Sequence, residues 1–540
     1  MKIVNIINAG ILVLLFSCCS QSEVRNFPVK TLNVKVIEGS SAPLVDRSHP
    51  GSHDNGSGYE NGYTIYHNGA YHMLITEMFK DGESGVGYWI PARIGYWTSA
   101  DGNTWNRHAT IVEGNNIKND MRECTWSSSF YWNGDENRWN IFWRGTDAVF
   151  RYQSSVEGDE GIMGPYEEAK CIIAPGGDRG NILWYSGFLH SFGNIFKSKN
   201  NDDILYTFFC DLIHENGYAN WPAGMLYSKN GVDGDWKYLE TSEPIFNFAE
   251  NPFVSIYDGI YLAPYDDLSH SHSIGIGFSE DGLNWKRVIV DLEGYIPWAE
   301  QINLVSTVRT PLGLVRNADG NYTVFFTAYS TQSEYFAIGK IRLKIDIIKM
   351  TKKDKDREKY KLNLKDDELW TGINGKWHNE YDGLSIFETN DMAYVRTYNK
   401  QAYKNFEAEV TLRAVGIALE NRTFSETDAR AGLTFGKKNP DTTLETDDYN
   451  VYVDANKKLV LAKGNSILKE VDIQQNIFIY RTLKAIVKNG KLSVYFAGNT
   501  EPVLEYKLQD YSGGYVALFA GKEHIHFESM YLKKDGHPNQ

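Results

Sequence analysis

The chain has 540 residues, enough for several domains, and 42% of them are hydrophobic, which supports substantial cores. A net charge of −14 with scattered Lys and Arg excludes the basic stripe that nucleic acid requires. Aromatic residues make up 14%, with 34 Tyr and 14 Trp, a composition suited to β structure and to surfaces that stack on sugar rings.

The chain opens with Lys2, an apolar run Ile11–Phe16 and then Ser17-Cys18, the charged, apolar and small-residue order of a secretory signal peptide. "LFSC" at Leu15–Cys18 resembles a bacterial lipobox, in which the cysteine becomes the lipidated first residue of the mature chain; an ordinary signal peptide that contains cysteines is the alternative. The lipobox reading predicts lipidation at Cys18, a location at the bacterial cell envelope, and membrane attachment through a lipid anchor alone, since no later stretch reaches about 18 apolar residues. Cys124, Cys171 and Cys210 are odd in number and widely spaced, which argues against a disulfide framework, and they read as small buried apolar residues.

From about residue 50 short alternating runs of Tyr, Phe, Ile, Val and Thr are separated by Gly/Asn/Asp turns, and long helical patterns are absent. One turn phrase recurs: "SADGNTW" at Ser99–Trp105, "SEDGLNW" at Ser279–Trp285, and the looser "SKNGVDGDW" at Ser228–Trp236, with "GIMGPYEEA" at Gly161–Ala169 in the intermediate place. The turn-end aromatics Trp105, Tyr166, Trp236 and Trp285 are 61, 70 and 49 residues apart. A period of this size built of short strands is that of a propeller blade. Aligned hairpins give five copies, starting at Glu60, Trp126, Ser191, Glu250 and Arg309, with spacings of 66, 65, 59 and 59 residues. The fold class is therefore all-β: a five-bladed β-propeller over 49–346 followed by a β-sandwich of jelly-roll, concanavalin-like type over 369–540. Residues 1–18 are the signal peptide, 19–48 a tether and first strand, and 347–368, rich in Lys, Asp and Glu, a charged linker or junction.

The inner strand of each blade borders the central channel, so equivalent positions form a ring. Glu60 and Glu250 precede the hairpin glycines Gly69 and Gly259 by the same nine residues and should face the same end of that channel. Two carboxyls placed across a scissile bond are what glycoside hydrolysis needs. For each glutamate the plain alternative is a solvated strand end or an ion pair. Trp126 is either a stacking platform or a core tryptophan. Arg309 either binds the carboxylate of an acidic sugar or neutralises Glu60 or Glu250. Glu123 either binds a sugar hydroxyl or pairs with Arg122 or Arg309. His270 and His272 in "DDLSHSHS" alternate as metal ligands would, but lack a third ligand, and a turn is the expected reading.

With "ENPF" at Glu250 on the fourth hairpin, the propeller resembles the five-bladed glycoside hydrolases of family 43 and their furanosidase relatives over about 300 residues. The resemblance implies that Glu250, in an E-x-P setting, is the general acid, with a pKa raised by a dry pocket and a neighbouring carboxylate. It implies a first-blade base, for which Glu60 stands where the family has Asp and Asp54 competes. The family's third-blade Asp, which orients the acid, is replaced here by His190 and Ser191. His190 tunes Glu250, acts as an acid itself, or packs between blades. The resemblance allows a structural cation in the channel, for which no ligands can be assigned; no other cofactor is expected. The C-terminal strands, with "GKWHNEYDGLSIF" and "HIHFESMYLK", resemble the concanavalin-like, laminin-G-type modules appended to such enzymes. The functional expectation is a monomeric, exo-acting, inverting glycosidase on an oligo- or polysaccharide, its channel narrowed by loops such as Phe79–Arg93. A non-catalytic glycan-binding lipoprotein is the alternative, and a lyase or phosphorylase a weaker one.

Overall fold

The computed structural model describes residues 27–534 apart from 54–55, 80–91, 116, 118, 124, 175–181, 183, 188, 202, 216–217, 301–306, 373, 387–392, 420–423, 426–428 and 523. Cys18, Asp54, Cys124 and most of the Phe79–Arg93 loop lie outside the described residues. The chain is all-β, with five four-stranded antiparallel blades followed by a sandwich of two seven-stranded sheets.

Blade 1 holds Gly56–His67, Ala70–Phe79, Ala92–Ser99 and Asn106–Glu113, and blade 2 holds Trp126–Asn133, Arg138–Arg144, Val149–Glu157 and Tyr166–Ile173. In blade 3 the inner strand is broken into Ser191–Phe192 and Phe196–Lys197, both paired with Leu205–Cys210, and Ala223–Ser228 and Lys237–Tyr238 follow. Blade 4 repeats the break, with Ala249–Glu250 and Ser255–Tyr257 against Ile260–Asp267, then Ser273–Ser279 and Trp285–Asp291. Blade 5 takes Thr310–Arg316, Tyr322–Ser330 and Tyr335–Lys349 from the end of the propeller, and its outermost strand, Val29–Gly39, from the beginning. That strand closes the ring by joining the two ends of the propeller sequence in one sheet.

The recurrent turn phrases act as the sequence suggests. Asp101 Oδ1 accepts the N–H groups of Asn103 and Thr104, and Asp281 Oδ1 those of Leu283 and Asn284. Trp105 and Trp285 are buried beneath these turns, and the Trp285 indole donates to the Gly282 carbonyl at 2.9 Å. Trp285 packs with Phe196, Phe208 and Phe246 into the core between blades 3 and 4.

On the inner strands, the residue after the ring position has a left-handed backbone in three blades: Asn61 (φ 50), Ser127 (φ 47) and Asn251 (φ 54). Each lies at a break in pairing register or in the strand itself, and such bulges re-aim the neighbouring side chain. Asparagine tolerates this backbone better than most residues, which accounts for both "EN" dipeptides. Gly58 (φ 130) marks the contact between blades 5 and 1, where a Cβ would lie 2.4 Å from the Phe336 carbonyl oxygen.

In the sandwich one sheet runs through Ala393–Tyr403, Gly514–Gly521, Arg430–Lys437 and Tyr449–Asp454, the other through His524–Lys534, Phe406–Val415 and Arg481–Lys488. Their inner faces share a core that includes Phe406, Val410, Leu433, Phe435, Val451, Leu483 and Phe527. The charged 347–368 stretch is ordered: a helix, Lys352–Glu358, is capped by Thr351 and Asp354 and tied down by Lys30–Asp354 (2.5 Å) and Arg357–Glu409 (2.7 Å). A small sheet joins the domains, pairing Tyr218–Asn220 of the propeller with Ile417–Leu419 of the sandwich. The buried Arg287 guanidinium crosses the same junction to Asp382 at 2.8 Å and Glu380 at 3.4 Å. Among the described residues no helix is long and apolar enough to cross a membrane.

Candidate active site

Three ring positions, Glu60, Glu250 and Arg309, come together with His190 and Asp266 in one cluster of ionisable side chains. Arg309, at the head of the inner strand of blade 5, holds Glu60 of blade 1 through Nη2 and Glu250 of blade 4 through Nη1, the second contact at 3.0 Å. His190 of blade 3 approaches the other side of Glu250, its Nε2 lying 3.0 Å from Oε1. Asp266 is the fifth member of this group, with Oδ2 at 3.9 Å from Arg309 Nη1 and Oδ1 at 3.5 Å from the Asn251 amide. Glu60, Glu250 and Asp266 are fully buried, the Arg309 side chain is 10% exposed and that of His190 25%. The exposed end of the cluster is therefore basic and its floor acidic.

Burial sets the protonation of the three carboxyls, and their neighbours then separate them. Glu60 is pushed up from 4.5 to about 7 by burial against the pull of Arg309, with the charge of Glu250 adding to the rise. Burial also acts to raise Glu250, but Arg309 and then His190 outweigh it and hold the carboxyl well below its ordinary value. Asp266 is pushed well above the carboxylate range by burial first and the Glu250 charge second. The raised pKa expected for Glu250 thus falls on Glu60 and Asp266, because Glu250 alone is flanked by two bases.

The remaining sequence candidates are placed as follows. Trp126 sits at the ring position of blade 2 but is only 8% exposed, packed with Met78, Ala92 and Phe336. Ser191 is buried opposite Cys210 in the blade-3 hairpin, and Cys171, expected to be buried, is half-exposed. Glu123 is outside the cluster: it accepts the Asn119 N–H at 2.9 Å, while Arg122 pairs with Glu168 at 2.5 Å. His270 and His272 lie on the turn after Asp267. His270 is stacked on Phe478, and His272 Nδ1 is 2.8 Å from the Thr307 hydroxyl. Among the described residues the one grouping with metal-ligand spacing is Glu380, Asp382 and His526, which lies at the domain junction where Arg287 already occupies both carboxylates.

Asp266 was not among the sequence candidates for the site. A signal existed: Glu250 and Asp266 are each eight residues from Asp258, the hairpin turn, so they face each other across the pair of strands. The inner strands and their neighbours also carry buried hydroxyls, from Thr64, Thr76, Ser127, Ser128, Ser129 and Thr310.

No protein-family profile matches the chain, and no curated protein does. Among solved structures it is similar to the Bombyx mori GH32 beta-fructofuranosidase BmSUC1, at 12% identity over 92% of this chain and 94% of that one, with a TM-score of 0.36. It is also similar to the Bacteroides ovatus xyloglucan PUL GH43B, at 10% identity over 92% and 100%, with a TM-score of 0.33. The carbohydrate binding module CBM66 from Bacillus subtilis matches at 17% identity over 31% of this chain and 96% of that one, with a TM-score of 0.25.

Proposed function

We propose that the chain is a glycoside hydrolase in which Glu60 and Glu250 form the acid–base pair. The observation that carries this reading is the meeting of two buried carboxyls from equivalent inner strands on one guanidinium, with His190 against Glu250 alone of the two in these contacts; burial pushes Glu60 up to about 7, while Arg309 and then His190 hold Glu250 low. Environments that drive paired carboxyls apart in this way define the donor and the acceptor of a proton-transfer site. In this charge state Glu60 is the donor and Glu250 the base that activates water, the reverse of the roles the E-x-P resemblance implies. Burial and the Glu250 charge push Asp266 upward, so that a second charge opposite Glu250 is disfavoured, while Arg309 and then His190 stabilise the charge on Glu250.

Direct displacement by water with inversion is the proposed course, and the anomeric configuration of the first product distinguishes it from a covalent intermediate. Exo-action on an oligo- or polysaccharide is part of the same proposal. Lipid attachment at Cys18 would hold the enzyme at the cell envelope, and the mass of the mature N-terminus tests it. The reading as a whole is tested by incubating the full chain with a broad glycan panel and following the anomeric configuration of the first product by NMR. Release of monosaccharide of inverted configuration supports the proposal; no cleavage of any glycan overturns it.

One observation favours a second reading, a glycan-binding propeller without catalysis. None of the three carboxyls is exposed, and Arg309 neutralises two of them as a structural clamp would. Glycan binding without turnover in the same panel identifies that case.

A further inference from the structure

Asp266 and Asp267 are consecutive on the strand Ile260–Asp267, and their side chains leave it on opposite faces. Asp266 enters the charged cluster. Asp267 turns to the sandwich, where Arg413 Nη1 lies 3.6 Å from its Oδ1. Arg413 is fully buried, donates a second contact to the Ser269 hydroxyl, and lies over the Tyr480 ring at 5.1 Å. The Ser269 and Ser273 hydroxyls donate to the two Asp267 oxygens at 2.5 and 2.7 Å. Two more sandwich contacts seize the same turn: the Gly416 N–H donates to the Ser269 carbonyl at 2.7 Å, and Phe478 stacks on His270 at 5.2 Å and 6°.

The other side of this turn touches the strands that carry the cluster. Leu268 N–H donates to the Phe248 carbonyl at 2.9 Å, two residues before Glu250. Thr307 donates to the Ser271 carbonyl through its N–H at 2.6 Å and its hydroxyl at 2.8 Å, two residues before Arg309. The turn 268–272 is thus held by the sandwich at one side and lies within two residues of Glu250, Asp266 and Arg309 at the other. A buried arginine paired with a buried aspartate is a rigid attachment, because releasing either leaves an uncompensated charge.

We propose that Arg413, a residue of the C-terminal sandwich, is a positioning residue for the Glu60–Glu250–Asp266–Arg309 cluster, so that the two domains form one functional unit. The kinetic consequence rests on the glycosidase reading above; the mechanical link does not.

The test uses full-length Arg413→Met, Arg413→Lys and the double variant Arg413→Met/Asp267→Asn. The double variant removes the orphaned charge and keeps the test available where Arg413→Met does not fold. Hydrogen exchange is read on peptides covering 245–252 and 307–312 of the propeller, together with kcat and KM on any glycan cleaved by the native chain. The proposal expects faster exchange in both segments, unchanged exchange in blades 1 and 2 away from Glu60, and substantial restoration by Arg413→Lys. It also expects kcat to fall about 10- to 100-fold, the usual cost of a small misplacement of reacting groups, with KM little changed. Altered exchange confined to the sandwich and the turn, or an unaltered kcat in a folded variant, overturns it. Faster exchange in both segments of a chain that cleaves no glycan upholds the link and defeats the glycosidase reading instead.

Discussion

Glu60 and Glu250 occupy equivalent positions on the first and fourth inner strands and share the Arg309 guanidinium. Their sequence settings are alike, each followed by an asparagine with a left-handed backbone. Their surroundings are not: His190 Nε2 lies 3.0 Å from Glu250, beside the guanidinium that Glu250 shares with Glu60. One histidine therefore breaks the equivalence of two carboxyls that the repeat made alike.

The raised Glu60 pKa makes stability depend on pH. A carboxyl with a folded-state pKa of about 7, against 4.5 when unfolded, binds its proton more tightly in the native chain. Its contribution is fully present below about pH 4.5 and is lost as pH rises through about 7. Glu60→Gln should flatten the fall in unfolding free energy across this window, as measured by urea denaturation at several pH values. An unchanged slope would place the titrating group elsewhere.

Arg309 is the sole cation paired with Glu60 among the described contacts and one of two paired with Glu250. Arg309→Met leaves buried acids uncompensated and should cost about 3–5 kcal/mol in unfolding free energy. Adding Glu250→Gln to that variant should recover part of the loss, because the acid that Arg309 holds in its charged form becomes neutral, whereas Glu60 without Arg309 keeps its proton. Denaturant titration of the single and double variants measures both effects.

The propeller core makes a separate prediction. Trp285 is buried beneath the blade-4 turn against Phe208 and Phe246. Trp285→Ala should cost about 3–5 kcal/mol, as large aromatic truncations in cores do. Trp236, at the corresponding turn of blade 3, is only half-buried, so Trp236→Ala should cost less. Thermal unfolding of the two variants gives the order.

The blade hairpins were legible because each is a local pattern: alternating apolar residues, a tight turn, and a tryptophan at a fixed place in a repeated phrase. The positions Glu60, Trp126, Ser191, Glu250 and Arg309 could be aligned for the same reason. Closure of blade 5 by Val29–Gly39 was not legible, since its partner strand lies about 300 residues away and pairs by register alone. The partners of Glu250 come from three different blades, and the sign of its pKa shift depends on distances that no local spacing encodes. Asp266 read as part of a turn because its neighbours Ser269, His270 and His272 form one; its own side chain faces the opposite way from Asp267. The grip of Arg413 on Asp267 joins two domains whose sequences carry no shared motif.

The division of labour between Glu60 and Glu250 is tested most directly by comparing Glu60→Gln and Glu250→Gln on glycosides with good and poor leaving groups. Loss of a general acid is tolerated when the leaving group needs no proton, whereas loss of the base is not. The prediction is that Glu60→Gln hydrolyses dinitrophenyl glycosides at a rate close to that of the native chain but loses about 10²–10⁴-fold on alkyl glycosides. Glu250→Gln should be impaired on both. The opposite pattern would assign the acid to Glu250, and full activity of either variant on both substrates would contradict an acid–base pair at this site.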